Sequence, residues 1–292
     1  MNNQMFLNEI HEYIDVLYKK FEKYQSDVLD TLDEFDRICI NNKLTYYVGF
    51  GSLLGLYRDG NLLPWDYDID VLVPITEKDR LIEVLKKDLN DKYYFYCPEV
   101  DSKCRHYCMR ITKKGFDSSA VHMDVFFYIG APDDIKSRER FRKRIKKANL
   151  MRKIKLVDIN MESMGVNVFK YAGYLNRIRC IWKPLVLLDI QVKRMCEKYP
   201  LSKAKYVTTM QAAADTYTID VLGEPTRITV NGKQYNAPTD IISFLNQTYK
   251  NYKDYPQIES RFDEFYKSIK RLEYFECNQK MKDKMDYQIN TY

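Results

Sequence analysis

Three carboxylates stand at alternate positions, Asp66, Asp68 and Asp70, at the end of the run YYVGFGSLLGLYRDGNLLPWDYDIDVL that spans residues 46–72. Alternate residues of a strand share one face, so these acids would crowd their charges at one edge of a sheet. Crowded carboxylates need a cation. In a phosphate-handling site that cation is Mg²⁺ (or Mn²⁺), which takes one or two carboxylates plus phosphate oxygens and keeps several waters. Tyr67, Ile69 and Val71 supply the apolar alternation of a half-buried strand, which a solvated turn would lack. The chemistry is then phosphoryl or nucleotidyl transfer. Asp68 and Asp70 are the prime metal ligands, and Asp66 is either a third ligand or a group that orients them.

Such a site needs a further acid from a neighbouring strand, to complete the coordination or to take the proton of the attacking hydroxyl. Asp124, in the otherwise apolar run Val121-His-Met-Asp-Val-Phe-Phe-Tyr128, is that candidate. His122 shares its face and is either a phosphate contact or a polar edge residue. Upstream, Gly49-Phe-Gly51-Ser52 puts small residues where backbone must approach a ligand, and Ser52 is expected to cap a short helix over 53–58. Arg58 lies one or two turns further on, where a guanidinium holds phosphate oxygens or pairs with Asp59. Arg110 is a second phosphate contact, on a strand with His106 and Cys108. Cys97, Cys104 and Cys108, with the two histidines nearby, lack the paired spacing of a structural zinc site. There is no P-loop, nucleophile elbow or kinase motif set.

The elements that must carry these residues alternate. Residues 5–41 repeat apolar groups every three or four positions and predict one or two amphipathic helices, with Ser26-Asp27 able to cap a second segment. Short β-rich runs at 44–50, 93–97, 107–112 and 121–128 join the acidic strand, with a helix over roughly 77–89 between them. Phe141, Ile145, Ala148, Met151 and Ile154 give the basic segment 133–155 a helical stripe. Its cationic face is a solvated surface or a contact for anionic lipid or substrate. Helical patterns continue over 166–181 and 184–199. Asn231-Gly232 predicts a hairpin over 227–236. Thr239-Asp240 opens a helix to about Lys250, and a last helix over 258–277 turns Phe262, Phe265, Ile269 and Leu272 inward. The fold class is α+β: a mixed sheet flanked by helices in residues 1–130, then a mainly helical part over 131–292.

With 292 residues, 45% of them hydrophobic, the chain can bury a sizeable core. Its seven cysteines form an odd, scattered set that suits a reducing cytoplasm, and a net charge of +6 suits an anionic substrate or membrane surface better than nucleic acid. The longest apolar stretch, 184–190, falls far short of the ~20 residues that span a membrane. The opening MNNQMFLNEIHE is too polar for a signal peptide.

Gly51-Ser-Leu-Leu-Gly55 with Arg58, then Leu63-Pro-Trp-Asp-Tyr-Asp-Ile-Asp70 and later Met123-Asp-Val-Phe126, resemble the LicD family of phosphorylcholine transferases and their fukutin-related relatives, within the nucleotidyltransferase superfamily. A weaker similarity returns at Tyr235, Pro238, Asp240, Leu245, Tyr249 and Pro256, with Lys250 where the family often has glycine. Tyr67 replaces an aspartate of the bacterial pattern and is similar to the fukutin-related version. The resemblance implies a nucleotidyltransferase-like core and Mg²⁺-dependent transfer of a substituted phosphoryl group from a CDP-activated donor to a sugar hydroxyl of a surface glycan, with release of CMP. The group would be phosphorylcholine, ribitol phosphate, glycerol phosphate or aminoethylphosphonate. By the same resemblance Asp68, Asp70 and Asp124 hold the metal, Ser52 and Arg58 hold the pyrophosphate, and residues 235–256 shape the acceptor site. The enzyme would serve capsule, lipopolysaccharide or teichoic acid assembly from the cytoplasm, at the inner face of the membrane beside a lipid-linked acceptor. Rival readings are a nucleotidyltransferase that takes an NTP and releases pyrophosphate, and an inactive relative that binds nucleotide or glycan.

Overall fold

A computed structural model describes residues 3–115, 122–156, 184–210, 216–249, 251–270 and 272. Its centre is a seven-stranded mixed sheet. Strands β1 (Tyr47–Val48), β2 (Asp68–Pro74), β5 (His122–Ala131), β4 (Met109–Lys113) and β3 (Tyr93–Tyr96) lie side by side in that order. Only β2 and β5 run parallel, which the helix α3 (Lys78–Asp88) between them in sequence makes possible. The far half of β5 pairs with β6 (Tyr206–Thr209), which pairs with β7 (Tyr217–Thr218). The second half of the chain therefore contributes two strands to the same sheet, which its helical patterning did not announce.

One long helix, α1 (Asn3–Asn41), lies across β2, β4 and β5. Phe21, Tyr24, Val28, Leu32, Phe35 and Ile38 recur every three or four residues and are buried, each contributing roughly 1.5–3 kcal/mol. Of the two readings, one helix or two, the single helix holds, and Ser26-Asp27 caps no second segment. Asp27 instead takes the Lys113 ammonium of β4 at 2.5 Å, so its carboxylate serves a tertiary contact rather than a cap.

The hairpin β8 (Thr226–Val230) and β9 (Lys233–Ala237) turns at Asn231 and Gly232, with φ of 52° and 77°, as the Asn-Gly pair requires. It docks on α1: Arg227 grips Asp36 through two nitrogens at 2.5 and 3.0 Å, and Tyr235 donates to Asp33 at 2.6 Å. The basic helix α4 (Ile135–Leu156) buries Phe141, Ile145, Ala148 and Ile154 as its stripe predicts. It also buries Arg152, whose Nε donates to the Cys104 carbonyl at 2.7 Å and whose NH1 meets Asp189 at 2.6 Å on α5 (Leu185–Glu197). A short helix α6 (Ile219–Leu222) precedes α7 (Ile241–Thr248), which Asp240 caps by accepting from Ser243 N at 2.9 Å.

The final helix, α8, spans 258–270. Its Ile269 is buried and its Phe265 meets Phe21 of α1 edge-on at 5.4 Å, whereas Phe262, expected inward, is more than half exposed. The apolar stripe of α8 is thus narrower than its spacing suggested. The helical pattern over 166–181 and the segment 273–277 fall outside the described residues. Among the described residues no helix is long and apolar enough to cross a membrane.

Candidate active site

The parallel pairing of β2 with β5 sets Asp68 opposite His122 and Asp70 opposite Asp124. Antiparallel β4 then places Arg110 opposite Asp124. Because side chains alternate, Asp70, Asp124 and Arg110 form one row across three strands, and Asp68 and His122 lie one step along the same face. The intervening Ile69, Val71, Met123 and Val125 point the other way and are fully buried. The sheet thus holds its charged face rigidly by burying the opposite one.

Asp66 departs from the expected geometry. Strand β2 begins at Asp68, so Asp66 belongs to the turn before it, closed by Asp66 N donating to the Leu63 carbonyl at 2.9 Å. Its carboxylate still joins the group, because it leans over Gly51: a Cβ on that glycine would lie 2.7 Å from Asp66 Oδ2 and 3.8 Å from the Tyr249 hydroxyl. Only glycine leaves room there.

Ser52 is not a cap either. The short helix α2 (Phe50–Leu54) starts after Gly49, and Ser52 sits inside it. Its buried Oγ accepts from Asp70 N at 2.9 Å, which ties the helix to the acidic strand. Phe50, between the two glycines, has a φ of 48°, an unusual value for an aromatic residue. Its ring is held between Phe126 and Phe244, at 5.6 and 6.0 Å. A π-helical turn, Gly55–Asp59, follows and ends at Gly60 with φ of 69°.

Arg58 is committed elsewhere. Its guanidinium makes a two-point pair with Asp59 at 2.8 Å, donates to the Tyr252 carbonyl at 2.9 Å and stacks on the Tyr255 ring at 4.0 Å. It braces the loop after α7.

Electrostatically the row is crowded. Burial, then the Asp68 charge and Glu264, pushes the Asp66 carboxyl up to about 8. Asp70 is raised well above the usual carboxylate range by burial, then by Asp68, Asp124 and Asp66, with Arg110 pulling the other way. Arg110 binds Asp124 through Nε at 2.6 Å and NH2 at 3.2 Å. Burial opposes its charge, but Asp124 holds it well above the usual range. His122 Nε2 lies 3.6 Å from Asp68 and 3.8 Å from Asp124. Tyr249, from the C-terminal half, is raised by burial and then by Asp66 and Asp70.

The fit to a divalent cation follows from this donor set. Among the described residues no three His, Cys, Asp or Glu side chains are disposed to enclose a metal by themselves. Asp124 already has both oxygens on Arg110. Asp68 and Asp70 are two neighbouring carboxylates that repel each other, Asp68 with about a quarter of its side chain open to solvent. Two carboxylates completed by phosphate oxygens and water is the coordination Mg²⁺ prefers. The residues fit the ion with substrate present and do not form a closed protein cage.

The cysteines Cys39, Cys97, Cys104, Cys108 and Cys196 are unbridged, and Cys104 donates to the His106 carbonyl at 3.3 Å. A cavity of about 770 Å³ lies beyond the other end of β2, lined among others by Ile75, Lys78, Glu99, Tyr107, Ile190 and Met210, and contains none of the acids above.

Sequence reasoning found every member of the row but missed two residues that support it. Gln25 on α1 donates to the Leu63 and Asp66 carbonyls, both at 2.8 Å, and Ser268 on α8 donates to the Trp65 carbonyl at 2.8 Å. Tyr249 entered only through the resemblance. A polar residue inside an apolar stripe, as Gln25 is, was the available signal.

Two comparisons bear on this arrangement. The chain matches 31% of residues over 119 positions with the lipopolysaccharide cholinephosphotransferase LicD of Haemophilus influenzae, covering 37% of this chain and 44% of that protein. It therefore spans less than half the length of that curated relative. Residues 43–167, which carry β1–β5, α2, α3 and α4, match the family described as LicD/FKTN/FKRP, nucleotidyltransferase domain. The resemblance carried by residues 51–70 and 123–126 is thus supported over 43–167, the segment that is similar to the LicD/FKTN/FKRP nucleotidyltransferase domain.

Proposed function

We propose that this chain transfers a substituted phosphoryl group, of the phosphorylcholine type, from a CDP-activated donor to a sugar hydroxyl of a cell-surface glycan. The observation that carries the reading is the cross-strand row of Asp70, Asp124 and Arg110 with Asp68 beside it, which concentrates carboxylates on one rigid face next to the paired Arg110 guanidinium. Similarity to a lipopolysaccharide cholinephosphotransferase supports the transferred group and the kind of acceptor.

In this mechanism Asp68 and Asp70 would hold Mg²⁺ (or Mn²⁺), with Asp66 steadying them. When bound, the ion neutralises phosphate charge and stabilises the departing CMP. Arg110, kept charged beside Asp124, faces phosphate oxygens from the adjacent strand. Asp124 takes the proton of the acceptor hydroxyl as the new P–O bond forms, and the bond from that phosphorus to CMP breaks. Gly51 keeps the backbone of α2 low enough for Asp66 to reach over it. His122, buried between Asp68 and Asp124, fixes their separation.

The proposal extends to a cytoplasmic enzyme of capsule, lipopolysaccharide or teichoic acid assembly beside the inner membrane face. Support comes from α4, where Lys136, Arg140, Lys143 and Lys147 share an exposed basic stripe suited to anionic lipid. The test is incubation of the purified chain with Mg²⁺ and CDP-choline, CDP-ribitol, CDP-glycerol or CTP, together with a glycan acceptor. CMP release from one CDP-alcohol is the expected result. Pyrophosphate release from CTP would replace this reading with a nucleotidyltransferase, and silence on all donors would leave a binding protein.

A further inference from the structure

Gln25 and Ser268 lie outside the family-matched segment 43–167, on helices from the two ends of the described chain, yet both end on the same four-residue turn. That turn, Leu63-Pro64-Trp65-Asp66, delivers Asp66 to Gly51 and starts β2, where Asp68 and Asp70 follow. It contains no regular structure of its own, so its carbonyls need partners from elsewhere.

Gln25 is buried, and its one amide nitrogen donates both hydrogens, to the Leu63 and the Asp66 carbonyl. Ser268 takes the Trp65 carbonyl between them. Three of the four carbonyls of the turn are therefore held by side chains from α1 and α8. The two helices are themselves joined: Phe265 of α8 packs on Phe21 and Tyr18 of α1 at 5.4 and 6.1 Å, and Ile269 and Leu272 complete the apolar seam. The seam fixes the distance between Gln25 and Ser268, and that distance fixes the turn.

We infer that Gln25 and Ser268 are positioning residues: through the 63–66 turn, the joined helices α1 and α8 set where Asp66 and the first residues of β2 stand. This rests on the transferase reading for its effect on activity, but the clamp itself does not. An Asp66 displaced by as little as 1 Å would alter a cluster whose charges are a few ångströms apart, and misplacement on that scale costs rate steeply. The matched domain alone is then an incomplete site.

The substitutions that test it are Gln25→Met, which keeps length and removes both donors, Ser268→Ala, and Ser268→Thr as the conservative variant. The chain has two tryptophans, so each change is made in a Trp182→Phe background where emission reports Trp65 alone. Acrylamide quenching of Trp65 is expected to rise at least twofold in Gln25→Met, less in Ser268→Ala, and to return to the starting value in Ser268→Thr. CMP release should fall about tenfold in Gln25→Met through kcat, with a higher Mg²⁺ requirement and little change in KM for the donor. Unchanged Trp65 quenching in folded Gln25→Met overturns the clamp whatever the activity. Raised quenching with unchanged kcat and Mg²⁺ dependence overturns the positioning role. If the unmodified chain releases no CMP from any CDP-alcohol, the transferase reading fails while the quenching arm still decides whether the clamp exists.

Discussion

Two buried arginines in this chain each meet an aspartate, and they are built differently. Arg152 is nearly inaccessible and divides its donors among the Asp189 carboxylate and the carbonyls of Cys104 and Ser102, with Tyr107 below its plane at 4.9 Å. One guanidinium there meets one carboxylate and neutral oxygens. Arg110 meets Asp124 just as closely, but Asp70, Asp68 and Asp66 press on the same volume. The first arrangement balances its charge within the fold. The second leaves an excess of carboxylate on a rigid face, which calls for a cation from outside. The contrast separates a structural pair from a candidate site.

That contrast breaks most visibly at the acids proposed to hold the metal. Asp70→Asn should lower CMP release by a factor on the order of 10³ while thermal stability holds or rises, because a repelled carboxylate is removed. Asp189→Asn should do the reverse: activity per folded molecule stays within about threefold, and unfolding free energy drops by roughly 2 kcal/mol as buried Arg152 loses its counter-charge. Chemical denaturation and initial rates on the same samples read both. Similar activity losses in the two variants would erase the distinction.

Arg110→Met strands Asp124 among like charges and should destabilise the chain by about 3–5 kcal/mol, measured as a shift in denaturation midpoint. Added Mg²⁺ should restore part of that loss in this variant and none in the Asp189→Asn chain.

Acidity supplies a smaller effect. The folded Asp66 carboxyl binds its proton until about pH 8, whereas an unfolded one releases it near pH 4. Between those values the folded state holds the extra proton, so stability falls as pH rises from about 4 to 8 and is flat for this group above that. Asp70 shifts in the same direction and adds to the slope. Asp66→Asn should flatten the decline between pH 5 and 8 in melting experiments without added metal. An unaltered pH profile would mean Asp66 does not share the crowded volume. Smallest is Gly51→Ala, whose methyl would meet Asp66 Oδ2: a cost of about 1 kcal/mol in stability and a several-fold loss of rate, read by the same assays.

The chemistry-bearing strands were legible because alternation is a local signal. Ile69, Val71, Met123 and Val125 must face one way for Asp68, Asp70, His122 and Asp124 to face the other, and the parallel register of β2 and β5 only aligns them. The hairpin was legible for the same reason, since Asn231-Gly232 specifies its own turn. What escaped was long-range. Ser52 reads as a cap until strand β2 approaches and Asp70 N claims its hydroxyl. Arg58 reads as a phosphate contact or a partner of Asp59; the Asp59 pair is present, and the 252–255 loop that joins it returns across almost two hundred residues. Arg152 reads as one more cation on a basic helix, because nothing within α4 shows that α5 will bring Asp189 to it. Strands β6 and β7 were missed because each is short and gains its stability by pairing with β5 and with each other.

The account stands or falls on whether the crowded face takes a divalent cation. Mn²⁺ titration of the purified chain in the presence of a CDP-alcohol, followed by electron paramagnetic resonance, measures this directly. One bound Mn²⁺ per chain, displaced by Mg²⁺, lost in the Asp68→Asn/Asp70→Asn double variant and retained in Asp189→Asn, is the predicted result. Binding of the same stoichiometry and affinity in the double variant, or no binding to the unmodified chain with donor present, would contradict it.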